Sequence, residues 1–179
     1  MDRNDIIDAN IFDFMIDKAR EWQEFLDSKN QGYKTVDADK NKNIKGYLGH
    51  WIVESKFSHL QLPIISTREI KYTRGDLVDI EYEGQKIDVK AIGRELNETY
   101  FFNDDCGVFQ HQIDEPKFDL IDYLVFTMIS PDFKRGWILG AIHRQDFLEM
   151  SFETNLKYKG RAVKTRQLKP FLNYVYRIK

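Results

Sequence analysis

Residues 122–129 (DYLVFTMI) form a nearly unbroken apolar run, interrupted only by Asp122 and Thr127. The run has no helical spacing and no polar–apolar alternation, so it reads as a strand buried on both faces. Such a strand needs a layer packed on each side of its sheet. Residues 136–142 (GWILGAI) read as its successor, and residues 145–150 as a short helix. Upstream the chain changes period from helical to alternating, giving the order helix, strands, an ambiguous stretch, strands. That order predicts a mixed α/β layer architecture, a β-sheet flanked by helices.

The 179 residues suffice for one compact domain with a substantial core. Hydrophobic residues make up 42% and charged residues 31%, too apolar a mixture for a disordered chain. No stretch approaches the roughly 18 consecutive apolar residues of a membrane span. The first eight residues are acidic rather than basic-then-apolar, which argues against a signal peptide. The lone Cys106 excludes an internal disulfide and a cysteine-ligated zinc or iron–sulfur centre. Together these features predict a cytoplasmic location and no membrane partner.

Residues 5–28 carry a helical stripe of Ile7, Ile11, Phe14, Met15, Trp22, Phe25 and Leu26, with Asn4 or Asp5 as cap. The polar stretch 31–43 reads as a loop. Residues 1–43 are therefore expected to be a helix-and-loop extension on a main domain of 44–179. A second helix is predicted over 44–60, stopped by Leu62-Pro63. Residues 64–72 suit a strand.

The informative stretch is GDLVDIEYEGQKIDVKAIG, residues 75–93. Residues 77–82 and 86–92 alternate in polarity around Glu83-Gly84, the pattern of a hairpin. With those two residues at the turn, Ile80 pairs with Ile87 and Asp79 falls opposite Asp88. Val78, Ile80, Tyr82, Ile87, Val89 and Ala91 then make one apolar face. The other face holds Asp79, Asp88 and Lys90, with Glu81 opposite Lys86. Facing carboxylates repel, so a cation belongs between them, either Lys90 or a divalent metal. A ligand set of oxygens without histidine suits magnesium or manganese. Glutamate is a poor first residue for a two-residue turn, and a longer loop would shift this register while keeping Asp88 beside Lys90.

Asp79, a gap of nine positions, then Asp88-Val89-Lys90 resembles the signature of the PD-(D/E)XK nucleases, the restriction-endonuclease-like superfamily. Val78 stands where the family's proline would be. The resemblance spans roughly residues 44–142 and implies a core of helix, three-stranded meander, helix and strand. It also implies a glutamate from the preceding helix. At about 100° per residue Glu54 lies about 20° from Tyr47, at the rim of that helix's apolar arc, where an unpaired charge is awkward. His50 lies one turn earlier, after a GYLG run, and is the alternative. The implied site has Asp79, Asp88, Glu54 and the Val89 carbonyl on Mg2+, with Mn2+ able to substitute. Lys90 positions or deprotonates the attacking water. Residues 93–120 should hold the family's second helix, yet show no long amphipathic pattern.

Net charge is −2, but it is unevenly spread. Residues 157–179 hold eight basic side chains and no acidic one, leaving 19 basic against 29 acidic in the remainder. Lys157, Lys159, Arg161, Lys164 and Arg166 are candidates for phosphate contact with DNA, and a solvated strand is the plain alternative. His59 and His111 read as helix surface and polar loop, His143-Arg144 as a strand end, and Tyr100-Phe101-Phe102 as core packing. The expected activity is a metal-dependent DNA endonuclease, with symmetric cutting favouring a homodimer. A non-catalytic nucleic-acid-binding or assembly module and an RNA-directed nuclease are its rivals.

Overall fold

The structure is a computed structural model that describes residues 2–28, 41–66, 78–96, 101–154 and 159–177. Its strands are β1 (Ile7–Asn10), β2 (Ile65–Ser66), β3 (Ile80–Tyr82), β4 (Gln85–Gly93), β5 (Asp105–Phe109), β6 (Tyr123–Ile129), β7 (Arg135–His143), β8 (Phe152–Thr154) and β9 (Gly160–Lys164). The helices are α1 (Asp13–Ser28), α2 (Lys42–His59), α3 (Gln110–Ile113), α4 (Arg144–Met150) and α5 (Phe171–Arg177). Six strands form one sheet in the order β1-β7-β6-β4-β3-β2, and three form a second in the order β5-β9-β8. Every pairing is antiparallel except that of β4 with β6.

The apolar run becomes β6, at the centre of the larger sheet. Val125 and Ile129 look toward α1 and α2, joining Met15, Leu48, Ile52 and Phe57 in one core. Leu124, Phe126 and Met128 look the other way, into a second core with Phe101, Val108, Phe147 and Val163. Strand β6 is thus buried on both faces, as its lack of alternation requires. Helix α2 approaches the sheet closely at Gly49, where an added Cβ would lie 2.5 Å from the Thr127 hydroxyl and 2.8 Å from Ala91 Cβ. Antiparallel pairing of β6 with β7 shifts register between Phe126 and Thr127, and Gly140 there has φ of +150°, which favours glycine.

The hairpin register is the one its alternation predicts: Ile80 pairs with Ile87, Glu81 with Lys86 and Tyr82 with Gln85. Both turn residues take positive φ, 49° at Glu83 and 74° at Gly84, so a glutamate accepts a place that asparagine or glycine prefers. The apolar face of β4 overrides the turn preference, because a slip of one residue would swing Ile87 and Val89 out of the core.

Two expectations are corrected. Residues 7–10 are a strand rather than the first turns of a helix. The order Ile7-Asp8-Ala9-Asn10 alternates, and pairing with the outer edge of β7 satisfies its backbone. The segment before residue 44 therefore contributes an edge strand to the main sheet, and α1 packs on α2 with Met15, Ile16 and Ala19 buried. The connection from β4 to β6 carries β5, a four-residue α3 and a 3-10 turn over Pro116–Leu120 instead of one long helix. Within the strand expected over 64–72, Ile65–Ser66 is strand and residues 67–72 lie outside the described residues, as does most of the loop expected over 31–43. No helix among the described residues is long and apolar enough to cross a membrane.

Candidate active site

Odd-numbered residues of β4 pack Ile87, Val89 and Ala91 beneath α2. Alternation then sends Asp88 and Lys90 to the opposite face, where β6 places their register partners Leu124 and Phe126. Lys90 Nζ lies 2.7 Å from Asp88 Oδ2, with side chains only 16% and 14% exposed. Burial raises the Asp88 carboxyl above the ordinary carboxylate range. The Lys90 ammonium opposes that rise and the nearby Asp79 carboxylate adds to it. The cross-strand repulsion between the two acids is thus present, with Lys90 as the cation that offsets it.

Asp79 sits at the bend that precedes β3. Its amide donates to the Ile87 carbonyl at 3.1 Å, and its Oδ2 accepts the Val89 amide at 2.8 Å. The Ile80–Ile87 pairing shows that odd residues of β4 direct their amides toward β3, which ends at Ile80. The Asp79 carboxylate supplies the acceptor that the missing ladder residue would have given Val89. A strand residue directs both backbone groups to one neighbour, so the Val89 carbonyl points to the same side of β4 as its amide, toward Asp79.

On α2, Glu54 is buried and its Oε1 accepts the Ser66 hydroxyl from β2. His50, one turn earlier, is 2% exposed. Its Nε2 lies 3.3 Å from Glu54 Oε1 and its Nδ1 3.8 Å from Asp79 Oδ1. Neither ring nitrogen makes a well-directed hydrogen bond among the described residues. Helical spacing of four residues puts both side chains on one flank, so the two alternatives for the helix-borne residue are neighbours in one buried line, Ser66–Glu54–His50–Asp79.

No family model matches the chain, and no curated protein matches it either. What the site can do rests on its own geometry. Of the expected side chains, Asp88 pairs with Lys90 on one face of β4, and Glu54 neighbours its alternative His50 on the α2 side. Asp79 lies between them at the end of β3. Among the described residues no three acidic, histidine or cysteine side chains converge as a metal-ligand group. Each carboxylate instead holds an internal partner: Lys90, the Val89 amide or the Ser66 hydroxyl.

The basic segment divides likewise. Lys157 lies outside the described residues. Arg161 is half-buried and donates to Ser151 Oγ (2.7 Å), the Ser151 carbonyl (2.9 Å) and the Leu148 carbonyl (3.0 Å), closing the end of α4. Lys164 donates to Asp105 (2.6 Å) and the Asn103 carbonyl (3.1 Å), and its ammonium sits 5.2 Å from the Phe152 ring. Lys159 and Arg166 are exposed, Arg166 holding Asn103 Oδ1 at 3.2 Å. The charge run is therefore in part a structural strand, β9, at the centre of the second sheet. Phe101 is core, as its apolar surroundings predict, and Cys106 is buried beside Thr165.

Sequence reasoning passed over a cleft between β6, β7 and α5, walled by Tyr123, His143 and Tyr174. Only His143 carried any signal, as a strand end, because the other walls come from segments about 50 residues apart in sequence.

Proposed function

We propose that the protein is a Mg2+-dependent nuclease that hydrolyses phosphodiester bonds of DNA, built on a restriction-endonuclease-like core. The observation that carries this reading is the Asp88–Lys90 pair, held 2.7 Å apart beside Asp79 on a strand face where the neighbouring strand has leucine and phenylalanine. A buried ion pair in such a place contributes little to stability and is retained for another reason. The succession α2, the β2–β3–β4 meander, and β6 parallel to β4 supports the core assignment. The short α3 is its departure from the expected pattern.

Asp79, Asp88 and Glu54 are oxygen donors of the kind a hard divalent cation takes. Asp88 and Glu54 stand on opposite sides of β4, so Asp79 and Asp88, with the Val89 carbonyl, are the groups that would hold it. The raised Asp88 carboxyl calls for a positive neighbour, a role that Lys90 fills and that a cation would share. When bound, Mg2+ supplies polarisation of a phosphate oxygen and acidifies water. Lys90 holds an ammonium proton beside Asp88, orients the attacking water and offsets charge growing on the phosphate. Asp79 ties the site to the backbone of β4, and His50 lies between Glu54 and Asp79. Lys159 and Arg166 would add backbone contacts to DNA, and cutting both strands would favour two copies of the chain.

One observation favours a second reading. Every carboxylate already has an internal partner, as in a nucleic-acid-binding or assembly module that has kept the fold without the reaction. The experiment compares wild type and Asp88→Ala on circular and linear, single- and double-stranded DNA, and on RNA, with Mg2+, Mn2+ or EDTA. Metal-dependent cutting of DNA should fall by about a thousandfold or more in Asp88→Ala, with the fold retained by circular dichroism. Equal cutting by both proteins sinks the assignment. Cutting of RNA alone moves it to an RNA-directed enzyme, and DNA binding without cutting moves it to the second reading.

A further inference from the structure

The cleft between β6, β7 and α5 has a volume of about 440 Å3, within the range of small-ligand sites. Three aromatic rings line it. The Tyr123 and Tyr174 ring centroids lie 4.3 Å apart at an interplanar angle of 50°, and His143 meets Tyr123 edge-on at 5.1 Å. His143 Nδ1 accepts the Gln145 amide, so the neutral ring carries its proton on Nε2 and offers a donor. Asp146 and Lys169 face each other at a loose 4.0 Å, with side chains 43% and 62% exposed. Asn173, exposed on α5, adds a carboxamide that both donates and accepts. Tyr174 is 5% exposed, and its hydroxyl is buried with no hydrogen-bond partner among the described residues. An orphaned buried hydroxyl is costly, and a bound polar group or water relieves it.

From this combination we infer that the cleft binds one nucleotide unit, its base against the Tyr123 and His143 rings, its polar edge on Asn173 and Asp146, and its phosphate on Lys169. The chemistry selects this class. Aromatic walls suit a planar ring, the carboxamide and carboxylate suit a base edge that presents both donors and acceptors, and the loosely paired ammonium suits an anion. A lipid would leave Asp146 and Lys169 unmatched. Tyr123 is the register partner of Ile87 and shares its α2-side face, while Asp88 faces the opposite layer, so the cleft lies across the sheet from the Asp88–Lys90 pair. The unit is either a free mononucleotide or a base displaced from a bound DNA strand. The second source rests on the nuclease reading, and the first does not.

The test uses the full chain in EDTA, so that cutting plays no part. The four deoxynucleoside monophosphates, the matching nucleosides and inorganic phosphate are titrated calorimetrically into wild type, Lys169→Ala and Asn173→Ala. Both substitutions are at exposed side chains, and circular dichroism verifies the fold. At least one monophosphate should saturate with a Kd below about 1 mM. Its nucleoside should bind about fivefold more weakly, a difference that Lys169→Ala abolishes, while Asn173→Ala weakens both about tenfold. No saturable binding at millimolar nucleotide overturns the inference. So does inorganic phosphate binding as well as the nucleotide, or wild-type affinity in both variants. A duplex carrying 2-aminopurine separates the sources. Brightening with wild type but not Asn173→Ala supports a displaced base, and unchanged fluorescence beside saturable monophosphate binding supports a free nucleotide. Loss of cutting in Asp88→Ala with nucleotide binding intact keeps the two readings apart.

Discussion

Strands β4 and β6 lie side by side in parallel register, yet they treat the same core layer differently. Where β6 presents Leu124 and Phe126 to it, β4 presents Asp88 and Lys90. The two strands share an apolar face toward α2, so folding alone has no need of charge on the second face of β4. The neighbouring strand shows what a purely structural solution looks like there. On the proposed reading Asp88 and Lys90 are kept at some expense of stability, and the difference between the strands can be broken directly. Lys90→Met leaves Asp88 buried without its cation and should destabilise the chain by about 3–5 kcal/mol. The double variant Asp88→Leu/Lys90→Met should match wild type or exceed it by about 1–4 kcal/mol, while losing any metal-dependent cutting. Urea unfolding of the three proteins reads both numbers. A single variant as stable as wild type would mean that the pair is solvated, and the contrast between the strands would disappear.

How much of this was legible in the sequence follows from the range of the forces involved. The pairing of Asp79's strand with Asp88's was readable because apolar alternation on Ile80, Ile87 and Val89 admits one register, even over an unfavourable Glu83 turn. The double burial of β6 was readable because seven residues without a polar period have no exposed face. What could not be read is which layer each charge faces. Glu54 and His50 belong to the α2 side and Asp88 to the other, a consequence of how α2 lies on the sheet. Strand β1 was misread because Ile7, Ile11 and Met15 suit both a helical stripe and an edge strand, and the free edge of β7 decided between them. The cleft was invisible because Tyr123 and Tyr174 meet only in the folded chain.

The seating of α2 is itself testable, and its effect should be smaller. Gly49 lies against Thr127 and Ala91, so Gly49→Ala must push α2 off the sheet and should cost about 1–3 kcal/mol. Gly46, on the same helix, has open space where a Cβ would go, and Gly46→Ala should stabilise by about 0.5–1 kcal/mol. Equal effects from the two would mean that the close approach is not tight in solution. A similar contrast sharpens the basic segment. Arg161→Ala removes three side-chain hydrogen bonds and should destabilise by about 2 kcal/mol. Lys159→Ala should change stability by less than about 0.5 kcal/mol, and if Lys159 meets phosphate it should lower the salt slope of DNA binding by about 1.

The last effect, absent at neutral pH, probes whether the layer facing Asp88 is closed. Cys106 lies in that second core, fully buried, and burial pushes its thiol up to about 12 despite the 3.5 Å contact with Thr165. In the unfolded chain the thiol ionises near its ordinary 9.0, so above that pH the unfolded state releases a proton that the folded state keeps. On this account stability is unchanged below pH 9 and falls as pH rises from 9 toward 12, a slope that Cys106→Ala should remove. At pH 8 a thiol reagent should label Cys106 only as fast as the chain unfolds, with the rate rising in urea alongside the unfolded fraction. Labelling at the rate of a free exposed thiol would show that the second core opens to water. Asp88, which faces the same layer, would then lose the burial that raises its carboxyl and distinguishes β4 from β6.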